Sequence, residues 1–275
     1  MPLNRCPNNR PTPMVCFDMT CMHLASTGRF AGKHVVVLGG NSGIGRAAAL
    51  GFADEGAYVV VTGRNAVTLA DVAEALGKRG ETHIADITDM AASRALMADL
   101  ALRLGRIDVL VVNAGTGAFR PVEAVDEAFY DEIMSINLKG PYFAVQTALP
   151  LMGAGSSIVL TSSIGHCKGI AGNSVYAASK AGLRSLARNF GVEMVARGIR
   201  VNCFSPGPID TPLVSRGDMT AEQIAGFRTM IEESVPMRRF GTPQEAADAI
   251  LFLASPQASF ISGIDLIVDG GLVSF

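Results

Sequence analysis

The sequence predicts a single α/β domain of the Rossmann type, a doubly wound parallel sheet of seven strands with helices on both faces. Three observations carry this. Short apolar runs such as His34-Val35-Val36-Val37-Leu38 recur along the chain, separated by stretches of helical period. The runs are continuous rather than alternating, as expected of strands covered on both faces. A glycine-rich turn, Gly39-Gly40-Asn41-Ser42-Gly43-Ile44-Gly45, follows the first run directly.

The elements follow in order. A strand over 34–38 leads into a helix over 43–55, with Ile44, Ala47, Ala48 and Phe52 on one stripe. A strand over 58–62 and a helix over 67–76 come next. Then follow a strand near 82–85, a helix over 90–104 and a strand over 108–112. A long helix is predicted over 126–151, before a strand over 157–161. A helix over 174–196, a strand over 199–204, a helix over 243–254 and a strand over 264–268 complete the domain, residues 30–275. Strands alternating with helices imply crossover connections and hence a parallel sheet. Residues 1–29, rich in Pro, Asn and Thr and without apolar period, read as a flexible extension.

Composition excludes several classes. With 49% hydrophobic and 17% charged residues the chain can fill a large core. A net charge of −2 gives no electrostatic case for nucleic acid or an anionic membrane. No apolar run approaches the roughly 18 residues of a membrane span. The start lacks the apolar stretch of a secretory signal. A cytoplasmic location is therefore expected. Of five cysteines, Cys6, Cys16 and Cys21 precede residue 22, with His23 beside them. No C-x2-C pair occurs there, so neither a metal site nor a disulfide is expected.

The glycine turn joins a buried strand to a helix start, where unpaired N–H groups and the helix dipole favour a diphosphate. Gly39, Asn41, Ser42, Gly43, Ile44 and Gly45 are the candidate residues, spaced G-x3-G-x-G. The end of the second strand carries Gly63 and Arg64, where NAD binders commonly place a carboxylate. Gly63 brings no charge to repel a 2′-phosphate and the Arg64 guanidinium can pair with one. NADP(H) is favoured, with NAD(H) left open. Tyr176 and Lys180 are one helical turn apart and share a face. An ammonium there is expected to lower the Tyr176 pKa from its ordinary value of about 10, making the phenol an acid/base near neutrality. Ser162 and Ser163 end the preceding strand, and on chemistry alone either hydroxyl could hold a substrate oxygen. Asn113-Ala114-Gly115 ends the fourth strand, and Asn137 lies in the long helix beyond it.

Together these residues resemble the short-chain dehydrogenase/reductase family in its shorter form, from about Phe30 to Gly271. The glycine turn, Asp86, Asn113-Ala114-Gly115, Asn137, Ser163, Tyr176 with Lys180, and Pro206-Gly207-Pro208-Ile209 occur in the family's order and spacing. The resemblance implies a catalytic set of Asn137, Ser163, Tyr176 and Lys180. In it Ser163 and Tyr176 bind the carbonyl oxygen, Lys180 also bonds the nicotinamide ribose, and Asn137 positions a water. It implies Gly39, Gly43 and Gly45 at the diphosphate, Asp86 at the adenine amino group, and Asn113 bracing the sheet centre. Ile209 and Thr211 would meet the carboxamide end, and Ile87, Ala114, Gly115, Pro206 and Gly207 would complete the cofactor's surroundings. It implies homotetramers, built through the long fourth and the fifth helix and the chain near Asp269-Gly270-Gly271. Leu38 stands where the family usually has Thr, and the extension has no family counterpart.

The substrate is expected to be a small carbonyl or alcohol. A lid is predicted over 211–238, with Thr220 and Gln223 as a capping box and Ile224, Phe227 and Ile231 on one packing stripe. Residues 164–175 would form the other wall, with His166 and Lys168 facing solvent or backbone and Cys167 a small packing residue. A 3-oxoacyl carrier-protein reductase is the alternative. Residues 151–156 carry none of the basic charge such enzymes present to an acidic carrier, leaving Arg197 alone. A non-catalytic cofactor-binding regulator is disfavoured because Tyr176, Lys180, Ser163 and Asn137 are all present.

Overall fold

In the computed structural model, which describes residues 28–212 and 220–275, seven strands alternate with eight helices. They are β1 (His34–Leu38), α1 (Gly43–Asp54), β2 (Tyr58–Gly63), α2 (Ala66–Leu76), β3 (Gly80–Ile84), α3 (Met90–Leu104), β4 (Val109–Val112) and α4 (Glu127–Met134). There follow α5 (Gly140–Ala148), β5 (Ser157–Thr161), α6 (Ser174–Met194), β6 (Arg200–Pro206), α7 (Ala221–Ser234), α8 (Pro243–Ala254) and β7 (Asp265–Val268). All neighbouring strands are parallel, in the order 3-2-1-4-5-6-7. The doubly wound seven-stranded sheet expected from the sequence is present. Apart from Gly28 and Arg29, the predicted extension lies outside the described residues, as do Cys6, Cys16, Cys21 and His23.

The continuous apolar runs serve both faces because successive side chains alternate. Val35 and Val37 of β1 pack with α1, α2 and α8 in one fully buried cluster. Val36 and Leu38 of the same strand enter a second cluster with α3, α5 and α6. Strand order reverses between β1 and β4, so the connections leaving their carboxyl ends part and leave a crevice. No described helix is long and apolar enough to cross a membrane.

The long helix predicted over 126–151 is broken. Between α4 and α5 the backbone widens into a π turn over Ser135–Lys139, and Gly140 N–H reaches back to Ser135 O. Pro141, at the start of α5, has no N–H to offer the Asn137 carbonyl one α turn back. The wide turn accommodates this and aims the Asn137 side chain toward β4.

Among the described residues Arg238, between α7 and α8, is the one non-glycine with positive φ, at 56°. Left-handed backbone costs an ordinary residue about 1–2 kcal/mol. Arg238→Gly is therefore expected to stabilise the protein by about 1 kcal/mol, read as a higher urea midpoint at unchanged slope.

Candidate active site

The crevice at the carboxyl edge encloses about 520 Å³. Its floor is the glycine turn, with Gly39, Asn41, Ser42, Gly43 and Ile44. Gly63 and Arg64 enter from β2, Asp86 and Ile87 from the chain after β3, Asn113, Ala114 and Gly115 from β4, and Thr211 from beyond β6. Residues more than 170 positions apart are thus brought to one cleft, as the motif spacings predict.

The turn is held by main chain. Gly39 and Gly40 N–H groups both donate to Thr62 O at 3.0 Å, and Asn113 Nδ2 donates to Gly39 O at 2.9 Å. Helix α1 runs so close beneath that a Cβ on Gly45 would lie 2.2 Å from Gly39 O. Gly43 opens the helix at φ 52°, and a Cβ there would lie 3.1 Å from Thr211 Cγ2. Where the family usually has Thr, the Leu38 carbonyl takes Asn113 N at 2.9 Å and Ala114 N at 2.7 Å. The turn is braced without a hydroxyl.

Helices α2, α3, α4, α7 and α8 are capped by the side chains of Asn65, Asp89, Asp126, Thr220 and Thr242. Helix α1, like α5 and α6, has no such cap: Ser42 makes no side-chain cap bond, and no acid stands in the first turn. Arg46 N–H bonds back to Ser42 O, so the N–H groups ahead of it have no partner from a preceding helical turn. A bare positive helix end beneath a glycine cradle fits a dinucleotide diphosphate.

Beyond Gly115 lies the candidate catalytic group of side chains. Ser162 is spent: its Oγ donates to Lys180 O at 2.9 Å and is buried. Ser163 Oγ is half-buried, accepts from Gly165 N at 3.1 Å and lies beside the Tyr176 phenol, whose ionised form it favours. The structure thus separates the two serines that chemistry alone could not. Lys180 Nζ donates to Thr161 O at 2.9 Å and lies 5.7 Å from the centre of the Tyr176 ring. Asn137 is fully buried; its Oδ1 accepts from Thr116 N at 2.9 Å, and its Nδ2 donates to Thr116 O at 2.9 Å and to Ser179 Oγ at 3.2 Å. A Cβ on Gly115 would stand 3.2 Å from Lys180 Nζ and 3.3 Å from Asn137 Oδ1, so both polar ends border one niche.

The electrostatics correct one expectation. Burial pushes the Tyr176 phenol up from its ordinary value, and the neighbouring Ser163 hydroxyl offsets this only in part. Lys180 does not lower it. Burial pulls the lysine itself down to about 8, and its Nζ is committed to the Thr161 carbonyl. The phenol packs beside Phe129, Ile133 and Val175, which desolvate it.

A family model described as enoyl-(acyl carrier protein) reductase matches residues 39–273. The 3-oxoacyl-[acyl-carrier-protein] reductase FabG of Thermotoga maritima is 36% identical over 250 residues, 89% of this chain and 99% of the relative. Cis-4-hydroxycyclohexanecarboxylate dehydrogenase of Sinomonas cyclohexanicum is 41% identical over 248 residues, 88% and 97% of the two chains. A crystal structure of a short-chain dehydrogenase/reductase of the glucose/ribitol dehydrogenase type from Brucella melitensis superposes with a TM-score of 0.83 at 34% identity, covering 90% of this chain and 98% of that one. This chain is a short-chain dehydrogenase/reductase.

Within this short-chain dehydrogenase/reductase the remaining candidates fall into place unevenly. Arg64 is 62% exposed and its Nη1 stands 3.6 Å from Asp86 Oδ2. Burial opposes the Asp86 charge, but two Thr88 donors, at 2.8 and 2.7 Å, and Arg64 outweigh it and hold the carboxyl below its ordinary range. A Cβ on Gly63 would lie 2.5 Å from Asn41 Oδ1, so Asn41 occupies the space a carboxylate would need. Gly45 lies under the turn, and Pro206, Gly207 and Ile209 are not among the residues that line this cavity. Ile209 buries its side chain in the core shared with α8, and Gly207 abuts Asp269. Asn65, Ala85, Ile136 and Pro212 line the crevice and were not foreseen. For Asn65 a signal existed, since it is a cap-forming residue just before a helix.

The walls also differ from expectation. His166 faces neither solvent nor backbone but sits 2.6 Å from Asp265 Oδ2. Lys168 Nζ does find backbone, Leu272 O at 3.3 Å. Cys167 is exposed rather than packed. Arg197 donates to Leu149 O and Met152 O at 2.7 and 2.9 Å. Helix α7 carries the expected capping box, with Ile224, Phe227 and Ile231 half-buried, and Arg228 clamps Asp210 through two bonds of 2.7 and 3.0 Å. Residues 213–219 of the predicted lid lie outside the described residues. Among the described residues no group of three metal-ligating side chains occurs.

Proposed function

We propose that this oxidoreductase moves a hydride between NADP(H) and a small ketone or secondary alcohol, with Tyr176 as acid/base. The observation that carries the reading is the meeting of Ser163, Tyr176, Lys180 and Asn137 just past Gly115, at the end of a crevice whose bare helix start suits a diphosphate. Bound in the crevice, the nicotinamide would supply or accept the hydride. The chain's own part is to handle the oxygen and its proton. Ser163 Oγ and the Tyr176 hydroxyl, side by side, hold the carbonyl oxygen from one side. With its pKa raised, Tyr176 is protonated at neutral pH and ready to donate to the developing alkoxide. A water in the niche shared by Lys180 Nζ and Asn137 Oδ1 would return that proton from solvent by way of the Lys180 ammonium.

Arg64 and the absent carboxylate at Gly63 support NADP(H) over NAD(H). Arg64→Ala is expected to weaken NADPH about 10–100-fold, the worth of a charge-assisted bond of roughly 1.5–3 kcal/mol, and NADH less than about threefold. Fluorescence titration of both cofactors checks this; parallel losses count against it.

The Thermotoga relative is named for a 3-oxoacyl carrier-protein substrate. Here Arg197 is committed to two carbonyls, which supports a small ketone over a carrier-bound thioester. Following nicotinamide absorbance with a ketone panel and with acetoacetyl thioesters decides between them. Faster turnover of the thioesters makes the carrier-protein reading the right one, and cofactor binding without turnover of either makes the protein a regulator. Under the same reading the protein is cytoplasmic and binds neither nucleic acid nor membrane. It assembles as a homotetramer through α4, α5, α6 and the chain at Asp269-Gly270-Gly271, a mass that light scattering measures.

A further inference from the structure

The turn that carries Ser163 is unusually well fastened. Gly165 N donates to Ser163 Oγ at 3.1 Å, His166 N to Ser163 O at 3.1 Å, and Cys167 N to Ile164 O at 3.0 Å. At its far end this connection is tied to the chain after β4, where Arg120 N donates to Gly172 O at 2.8 Å. At its near end the His166 imidazole reaches the sheet, with Nε2 2.6 Å from Asp265 Oδ2. Both side chains are nearly enclosed, 13% and 9% exposed. The carboxylate, at the start of β7, also accepts from Ser205 Oγ of β6 at 2.6 Å, and Arg184 Nε of α6 stands 3.9 Å away. Ser205 donates to the carboxylate rather than to the imidazole, so the trio is not arranged as a nucleophile with its base.

A buried pair of this kind adds little stability over a well-packed apolar pair, because desolvation consumes most of the attraction. What it adds is a fixed distance between two elements, and one of those elements ends in Ser163. We infer that His166 and Asp265 are positioning residues for Ser163, pinning the turn so that the serine hydroxyl is held against Tyr176 and aimed at the reacting oxygen. The inference rests on the oxidoreductase reading above. Asp265 keeps Ser205 and Arg184 when the imidazole is removed, so the fold survives the loss of the pin.

The test compares full-length wild type with His166→Leu, which cannot bond Asp265, and His166→Gln, which retains a donor. In His166→Leu, amide exchange at residues 165–168 is expected to quicken about tenfold or more, and kcat to fall roughly 10–100-fold, the cost of misplacing a reacting group by about 1 Å. KM for the panel ketone that wild type reduces fastest, and Kd for NADPH, stay within about threefold. His166→Gln restores most of both losses. Should His166→Leu not fold, His166→Asn, too short to reach the carboxylate, takes its place. Unchanged exchange, faster exchange with unchanged kcat, or failure of Gln to rescue overturns the inference. A wild type that turns over neither ketones nor thioesters sinks the oxidoreductase reading and the catalytic role of the pin with it, while the exchange measurement, which needs no substrate, still reports whether the tie exists.

Discussion

Tyr176→Phe is expected to lower ketone reduction by roughly 10²–10⁴-fold, the usual worth of a positioned general acid, with NADPH affinity within about twofold of wild type. The ring keeps its packing against Phe129, Ile133 and Val175, so the variant folds, and only the hydroxyl beside Ser163 is lost. The pH dependence separates an acid from a mere contact. Because burial raises the phenol, it remains protonated through neutrality, and kcat/KM for reduction is expected to be level there. Alcohol oxidation needs the phenolate and should climb tenfold per pH unit over the same range. A Phe variant with wild-type turnover, or oxidation that plateaus near pH 7, would refute the role.

Lys180→Met is expected to abolish most turnover and yet to make the protein more stable at pH 7. The folded chain holds this amine at about 8, below its unfolded value near 10.5, so folding at neutral pH carries a charge into an apolar interior. That shift corresponds to a penalty of about 3 kcal/mol below pH 8. Removing the charge recovers it, less about 1 kcal/mol for the lost bond to Thr161 O, a net gain of about 2 kcal/mol. The sign follows from proton counting. Between about pH 8 and 10.5 the unfolded lysine still holds a proton that the folded one has released, so wild-type stability rises with pH there. The advantage of Lys180→Met should therefore shrink between pH 8 and 10.5. Urea melts at pH 7 and pH 10 measure it, and a variant less stable at both would contradict the assignment.

Much of this was readable before the structure because the strands are covered on both faces. Val35 to Leu38 and Val59 to Val61 are unbroken apolar runs, and each places its neighbouring loop at the same edge. The break in the long helix was also written in the chain, at Gly140-Pro141, but the apolar period continues through it and masks the missing donor. Other features depend on partners far away in sequence. Ser162 is set apart from Ser163 by a carbonyl 18 positions on, and His166 finds a carboxylate 99 positions on. The sign of the Tyr176 shift depends on α4 residues that no local spacing reveals.

Helix α1 begins without the side-chain brace that five of its fellows possess. An anion seated on Ser42 and Gly43, as the proposed diphosphate would be, would supply to this helix what Asn65 supplies to α2. Anything that binds only the native form shifts the folding equilibrium by mass action, about 2.7 kcal/mol at a hundredfold excess over Kd. Under the proposed reading, resistance to heat and proteolysis would gauge nucleotide supply, and a cell short of dinucleotide would hold a more perishable form of the enzyme.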